Sequence, residues 1–175
     1  MAKKVAILAV NPVNGSGLFQ YLEAFFENDI PYKTFAVADK REIRTNSGVD
    51  IVVDDVVANL KGHEDEYDAL VFACGDAVPV FEENVDKQYN KDMLEVMSAF
   101  AAKGKIMIGH CAVALMWESV GIAEGKRVAV HPYAKPSIGK AKATDGAYEI
   151  DGKFYTAQTE NSLHTLMPEL LSALK

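Results

Sequence analysis

The sequence predicts a three-layer α/β sandwich, with a mostly parallel central sheet between helices and a small antiparallel hairpin near the end. Two observations support this prediction. Short apolar runs alternate with helical patterns along most of the 175 residues, which is typical of a parallel sheet with helices on both faces. The apolar runs are also nearly continuous, as in Val5–Val10, which indicates strands that are covered on both faces.

The predicted elements follow one another in regular order along the chain. Six strands are predicted where apolar and β-branched residues cluster: residues 5–10, 32–38, 50–54, 69–73, 106–108 and 127–130. Four helices are predicted where apolar side chains recur every three or four positions: residues 16–28, 86–103, 112–120 and 162–174. A hairpin at 148–156 turns on Asp151-Gly152, a pair that favours a tight turn. Gly121 is predicted to cap the third helix and Ser162 to begin the fourth.

Composition limits the possible classes of function. The chain suits one domain, residues 1–175, and its 49% hydrophobic residues give a core large enough to fold unaided. A net charge of −7 without a basic cluster argues against a nucleic-acid partner. No apolar run is long enough to cross a membrane, and two cysteines make no disulfide framework, so a cytoplasmic location is expected. No metal site is expected, because the histidines, cysteines and acidic residues lack ligand spacing.

The segment from Lys105 to Trp117 is the most informative part of the chain. A short apolar run ends at Gly109, Cys111 follows, and a helical apolar pattern begins immediately after it. This order predicts a strand, a sharp turn that carries Cys111, and a helix. Because a helix N-terminus favours thiolate over thiol, we expect a reactive Cys111 with a depressed pKa. The alternative is a small buried hydrophobic residue, which is what most free cysteines are.

A nucleophilic cysteine needs a base or an ion-pair partner. Among the four histidines, His131 is the best placed, because it ends the predicted strand at 127–130 and should reach the carboxyl edge of the sheet beside Cys111. His110 is adjacent to Cys111 in sequence, so the two side chains should diverge. His63 and His164 are expected to face solvent.

Four segments carry a resemblance that covers nearly the whole chain. They are the cysteine turn Ile108-Gly109-His110-Cys111-Ala112, the loop Cys74-Gly75-Asp76 after a buried strand, the segment His131-Pro132-Tyr133, and the final hairpin with its helix. In these segments the chain resembles the ThiJ/PfpI superfamily, whose fold is flavodoxin-like and related to class I glutamine amidotransferases.

The resemblance implies roles for particular residues. Cys111 would be the nucleophile, His131 the nearby imidazole, and the backbone amides of Gly75 and Ala112 the donors that stabilise an oxyanion. It also implies a homodimer. Activities of the superfamily include peptidase, glyoxalase, deglycase-type and chaperone functions, so the fold alone does not define the reaction.

The chain departs from the family pattern in the first loop. The family places a glutamate near the cysteine sulfur, whereas this sequence has Gly17. The absence weakens any proton relay through that carboxylate and predicts poorly controlled oxidation of Cys111. Cys74 replaces the first glycine of the usual pair. Glu160, before the last helix, is a candidate for the missing charge, although a solvated loop position is the more common state of such a residue.

The first loop also supports an alternative function. Asn14, Gly15, Ser16 and Gly17 precede the first helix, where small residues let backbone N–H groups approach an anion. A phosphate-bearing ligand such as FMN would fit this pattern. Ser16 is equally consistent with a simple helix cap.

Three functions therefore compete. The leading one is a cysteine-centred enzyme without a cofactor, a hydrolase or a glyoxalase- or deglycase-like protein, that acts on a small carbonyl, acyl or amide substrate. The second is a flavodoxin-like protein that binds FMN or another phosphate-bearing ligand and has a non-catalytic cysteine. The third is a redox or chaperone stress protein without turnover.

Overall fold

A seven-stranded sheet forms the centre of the protein in a computed structural model, which describes residues 1–175. In chain order the strands are β1 (Val5–Val10), β2 (Tyr32–Val37), β3 (Glu42–Arg44), β4 (Asp50–Val52), β5 (Asp55–Val56), β6 (Ala69–Ala73), β7 (Ile106–His110), β8 (Arg127–Ala129), β9 (Lys142–Thr144), β10 (Tyr148–Asp151) and β11 (Phe154–Ala157). The α-helices are α1 (Gly15–Glu27), α2 (Gln88–Ala102), α3 (Val113–Val120) and α4 (Leu163–Leu174).

The strand order across the central sheet is β10-β11-β7-β6-β1-β2-β5. All neighbours are parallel except β10, which runs antiparallel to β11 in the predicted hairpin. Helix α1 packs against α4, and α2 packs against α3. The predicted fold class, a mostly parallel sheet between helices, is confirmed.

The innermost strands are covered on both faces, as their continuous apolar sequences require. Every residue of β1, β6 and β7 is buried. Parallel pairing brings the carboxyl ends of these three neighbours to one edge of the sheet, where ligands bind in open α/β folds. The first loop, the loop after β6 and the turn after β7 meet there.

Several local predictions were wrong. The single strand predicted at 50–54 is two strands, because β4 pairs with β3 in a separate ribbon while β5 extends the central sheet. Strand β8 lies outside the central sheet and pairs with β9. Helix α4 has no side-chain cap at Ser162, whose hydroxyl instead hydrogen bonds with the main chain of Thr159. Gly121 caps α3 in the left-handed conformation, as predicted.

None of the helices combines the length and the apolar character that a membrane-spanning segment needs.

Candidate active site

Cys111 lies on a sharp turn between β7 and α3, as the sequence predicts. Its φ of 59° falls in the left-handed region, which is strained for a residue with a Cβ. Two hydrogen bonds hold this conformation. The Cys111 N–H donates to the carbonyl oxygen of Ala157 at 3.2 Å, and the Cys111 carbonyl accepts from the His131 N–H at 2.9 Å.

The turn also depends on close approach of the strand to the following helix. A Cβ on Gly109 would lie 2.6 Å from side-chain atoms of Val113, so only glycine permits this packing. The left-handed Cys111 then directs the chain into α3. Its half-buried side chain lines a cavity of about 180 Å³ at the carboxyl edge of the sheet.

Cys74 lines the same cavity, and it is only 2% exposed. Strands β6 and β7 pair in parallel, with Phe72 opposite Gly109. Cys74 and Cys111 each lie two residues beyond that pair, so the two cysteines leave the sheet side by side. Both are free thiols.

The two thiols perturb one another, and the pKa of Cys111 moves in the direction opposite to the one predicted. The hydrogen bond with Cys111, followed by the backbone amides of Ala112 and Gly75, lowers the pKa of the Cys74 thiol. The same bond to Cys74 raises the pKa of Cys111, and burial adds to the rise. Because the two thiols titrate as a pair, the first ionisation leaves one negative charge and one proton between the two sulfurs.

Gly75 and Ala112 were predicted as amide donors for an oxyanion. Their N–H groups face the sulfur of Cys74, the residue that replaces the family's first glycine. A Cβ on Gly75 would overlap the carbonyl oxygen of Pro12, so the loop must carry glycine here. The Asn14 N–H donates a hydrogen bond to the Cys74 carbonyl oxygen at 2.9 Å. This bond holds the loop after β6 against the first loop.

His131 reaches the cavity, although β8 is not part of the central sheet. The hydrogen bond between its N–H and Cys111 places it beside the turn. Its Nδ1 accepts from the Tyr133 N–H at 3.2 Å, so the neutral ring carries its proton on Nε2. That tautomer makes His131 a donor rather than a ready base.

His110 is a cavity residue that the sequence argument missed. Its ring is fully buried, lines the cavity and receives a hydrogen bond at Nδ1 from the Tyr21 hydroxyl, with the two atoms 3.1 Å apart. The Tyr21 hydroxyl has no other partner, so we assign it as the donor, which leaves the imidazole proton on Nε2. That Nε2 has no partner. Burial lowers the pKa of His110 to about 4, so the ring is neutral at pH 7.

The His110 ring also explains the glycine in the first loop. A Cβ on Gly17 would lie 2.5 Å from Nε2 and 2.8 Å from Cε1 of that ring. A glutamate side chain therefore has no room at position 17 while His110 keeps its position. One signal in the sequence could have identified His110. It is a polar residue at the end of a strand that is otherwise apolar.

Glu160 is half-buried and lines the cavity, rather than occupying the solvated position that is more common for a loop glutamate. Its carboxylate makes a small contribution against ionisation of both cysteines, although the pKa of Cys74 is still lowered overall. Tyr133 lines the cavity as well, and burial together with the nearby cysteines raises the pKa of its hydroxyl to about 12. The hydroxyl therefore remains a proton donor at neutral pH.

The four first-loop residues separate in the structure. Asn14 lines the cavity and caps α1, with its Oδ1 accepting from the Gly17 N–H at 2.6 Å. Gly15, Ser16 and Gly17 form the first turn of α1. The amide of Gly17, which a phosphate would need, is therefore already bound. No group of three or more histidine, cysteine or acidic residues is arranged to hold a metal ion.

The model of the DJ-1/PfpI family matches residues 3–173. The chain belongs to the DJ-1/PfpI family. This match confirms the resemblance to the ThiJ/PfpI superfamily seen in the cysteine turn and its neighbouring segments.

Relatives within the DJ-1/PfpI family cover a wide range of similarity. Protein ppBat of Bacteroides thetaiotaomicron is 65% identical over 175 residues, which cover 100% of both chains. The solved structure of "the putative protease I from Bacteroides thetaiotaomicron" is 64% identical, with a TM-score of 0.98 over 99% of this chain and 100% of that chain. Oxidized DJ-1 of Toxoplasma gondii is 18% identical, with a TM-score of 0.84 over 99% of this chain and 91% of that chain, and it shares the fold.

Proposed function

We propose that this protein is a cysteine-dependent enzyme that acts on a small carbonyl or acyl compound, with Cys111 as the nucleophile. One observation carries the proposal: the same cavity is lined by a cysteine on a strained turn and by a histidine whose buried Nε2 has no partner. Buried polar groups are normally hydrogen-bonded. The oxygen of a bound carbonyl compound would supply the acceptor that the His110 N–H lacks.

The size of the cavity favours a small substrate. Its volume of about 180 Å³ is below the roughly 300–1,000 Å³ of sites for drug-sized ligands. The name "putative protease I" that one relative carries is compatible with hydrolysis by a nucleophilic thiol in general. A compound of a few carbon atoms fits this cavity better than a polypeptide does.

The neighbouring cysteine provides the first proton acceptor. In the singly ionised pair, the proton of the Cys111 thiol moves to Cys74, and the Cys111 sulfur adds to the carbonyl carbon. The π electrons of the carbonyl move onto its oxygen, where the His110 Nε2–H stabilises the developing charge. With an aldehyde, that oxygen takes the proton from Cys74 and a thiohemiacetal results. With an acyl compound, the adduct collapses to a thioester on Cys111 as the leaving group takes the proton, and water then hydrolyses the thioester to the acid and restores the thiol.

The test compares variants on two substrates, methylglyoxal and p-nitrophenyl acetate. Cys111→Ser should abolish turnover of whichever substrate the wild-type protein accepts. His110→Gln should lower kcat by roughly 10²-fold with little change in KM, as expected when an oxyanion donor is lost. His164→Ala is the matched control, because His164 is exposed on α4. Turnover that survives Cys111→Ser, or no turnover of either substrate, would contradict the proposal.

His131 supplies an internal comparison. The sequence predicts that His131 assists Cys111 more than His110 does, whereas the hydrogen bonds favour His110 as the donor to the substrate oxygen. His131→Ala should therefore reduce kcat less than His110→Gln. A larger loss at His131 would restore the original assignment.

We also infer a homodimer, which the family resemblance implies. Phe19 and Phe26 are 45% and 72% exposed, and their spacing of seven residues puts them on one side of α1. A second copy of the chain would cover this apolar side. Sedimentation at micromolar concentration should give one species of twice 19.1 kDa, and Phe26→Glu should shift it to the monomer. A monomeric wild-type protein would contradict the inference.

A further inference from the structure

The two cysteines of this chain, Cys74 and Cys111, are placed as a pair. Adjacent parallel strands lie roughly 4.8 Å apart, and the register of β6 and β7 carries both residues out of the sheet at the same level. That spacing falls within the roughly 4.4–6.8 Å between Cα atoms that a disulfide requires. Both residues line one cavity, and each thiol lies close enough to the other to shift its pKa.

The surroundings of Cys74 favour a reactive sulfur rather than an inert packed one. The Cys111 thiol and the backbone amides of Ala112 and Gly75 lower the pKa of the Cys74 thiol, although Cys74 is only 2% exposed. Cys111 is the more accessible member, since it is half-buried while Cys74 is 2% exposed. A small oxidant entering the cavity meets Cys111 first, with Cys74 directly behind it.

We propose that Cys74 and Cys111 form a peroxide-reducing dithiol, in which Cys111 is attacked by the oxidant and Cys74 closes an intramolecular disulfide. This activity goes beyond the proposed function, because it needs the second sulfur and no carbonyl substrate. It also replaces the expectation of poorly controlled Cys111 oxidation. Cys111 has no carboxylate from position 17 beside it, because the His110 ring fills that space, and the side chain that acts most strongly on its thiol is Cys74.

The reaction balances with a hydroperoxide as oxidant. The proton of Cys111 passes to Cys74, and the Cys111 thiolate attacks one oxygen of the hydroperoxide. The O–O bond breaks, an S–O bond forms, and the alcohol (or water, from hydrogen peroxide) leaves with one proton from solvent. The Cys74 sulfur then attacks the Cys111 sulfur and the S–O bond breaks. The departing hydroxide takes the Cys74 proton and leaves as water. The two sulfurs lose two electrons and the peroxide gains them.

Proximity determines which product forms. Once Cys111 is a sulfenic acid, a second peroxide must arrive by diffusion, whereas Cys74 is already beside it. Intramolecular reactions of well-placed groups have effective concentrations far above those of a dilute reagent. Disulfide closure should therefore outrun oxidation to sulfinic acid, and a thiol reductant should restore the starting state.

The test treats the purified protein with graded hydrogen peroxide, blocks free thiols by alkylation and measures intact mass before and after reduction with dithiothreitol. Wild type should lose both alkylatable thiols together, lose two hydrogen atoms in mass, stay a single chain on a non-reducing gel, and recover both thiols on reduction. At the same peroxide dose, Cys74→Ser should accumulate Cys111 sulfinic acid at least about 10-fold faster than wild type. Cys111→Ser should keep a free Cys74.

The proposal is overturned by wild type that accumulates Cys111 sulfinic acid while Cys74 stays alkylatable, or by disulfides that link two chains. The wild-type protein alone tests the proposal even if Cys74→Ser does not fold, because a disulfide-linked peptide that contains both cysteines identifies the disulfide directly. Turnover measured on the same samples separates the two hypotheses. A failed disulfide with Cys111-dependent turnover leaves the proposed function standing, and a reversible disulfide without turnover leaves only the dithiol.

Discussion

Gly17 and His110 are 93 positions apart in sequence but occupy adjoining space, and this arrangement yields a quantitative prediction. Gly17→Ala would place a Cβ 2.5 Å from Nε2 of the buried His110 ring. Forcing an extra methyl into a packed site costs about 1–3 kcal/mol, and shifting the ring strains its hydrogen bond to Tyr21, which contributes about 0.5–1.5 kcal/mol. Alanine in place of glycine in a helix returns about 1 kcal/mol. We expect a net loss of about 0.5–3.5 kcal/mol in the free energy of unfolding.

The same substitution should reverse its effect when the ring is absent. In a His110→Ala background the clash with the ring disappears, and the gain of about 1 kcal/mol from alanine in a helix is opposed only by Asn14 Oδ1, 3.2 Å from the added Cβ. The double-mutant cycle should therefore give a coupling energy of about 1.5–4.5 kcal/mol. Gly15→Ala is the control, because its Cβ would meet Thr45 at an ordinary 3.4 Å, and its effect should be equal in both backgrounds.

Urea unfolding followed by tryptophan fluorescence measures these free energies. The chain has one tryptophan, Trp117, which is 1% exposed and should report the loss of the core directly. A coupling energy below about 0.5 kcal/mol, the usual scatter for independent sites, would refute the claim that the His110 ring fills the space beside Gly17.

Three further predictions concern the frame of the site. Gly75→Ala should cost at least about 3 kcal/mol in thermal or urea unfolding, because its Cβ would overlap the backbone oxygen of Pro12, which cannot move like a side chain. A mild effect would contradict the packing. Thr156→Val should cost about 1–3 kcal/mol, because the Thr156 hydroxyl accepts a buried hydrogen bond from the Ala129 N–H at 2.8 Å; unchanged stability would show that another acceptor replaces it. The free energy of unfolding should also fall as the pH drops from 6.5 to about 4. In this range His110 binds a proton in the unfolded chain but stays neutral in the folded protein. This lowering of the His110 pKa corresponds to about 3 kcal/mol of stability. If the His110→Gln protein loses stability as steeply between pH 6.5 and 4, this histidine is not the cause.

Much of the framework could be predicted from the sequence because strong periodic signals coincide with the buried elements. The strands β1, β6 and β7 are continuously apolar, and the turn around Cys111 carries its own glycine and helix signals. Weak signals gave the errors. The short ribbon strands β3, β4, β8 and β9 have three residues each, too few for a period to be read.

The chemistry at the site depended on relations that one sequence does not display. Whether Cys74 lies beside Cys111 depends on the register of two strands, and the tautomer of His110 depends on a tyrosine 89 residues away. The pKa of Cys111 was predicted from the helix N-terminus alone, and the neighbouring thiol reversed it. His131 reached the site as expected, but through a backbone hydrogen bond to the turn rather than through the central sheet.

The left-handed backbone at Cys111 has a consequence for how this position evolves. Glycine adopts such a conformation without strain, whereas a residue with a Cβ costs roughly 1–2 kcal/mol there. Both backbone groups of Cys111 are bound to other segments, so the chain cannot relax out of that conformation. Folding alone would therefore favour glycine at position 111, and Cys111→Gly should be at least as stable as the natural protein while losing every thiol-dependent property. A cysteine persists at such a position only if its sulfur contributes more to fitness than the stability it forfeits.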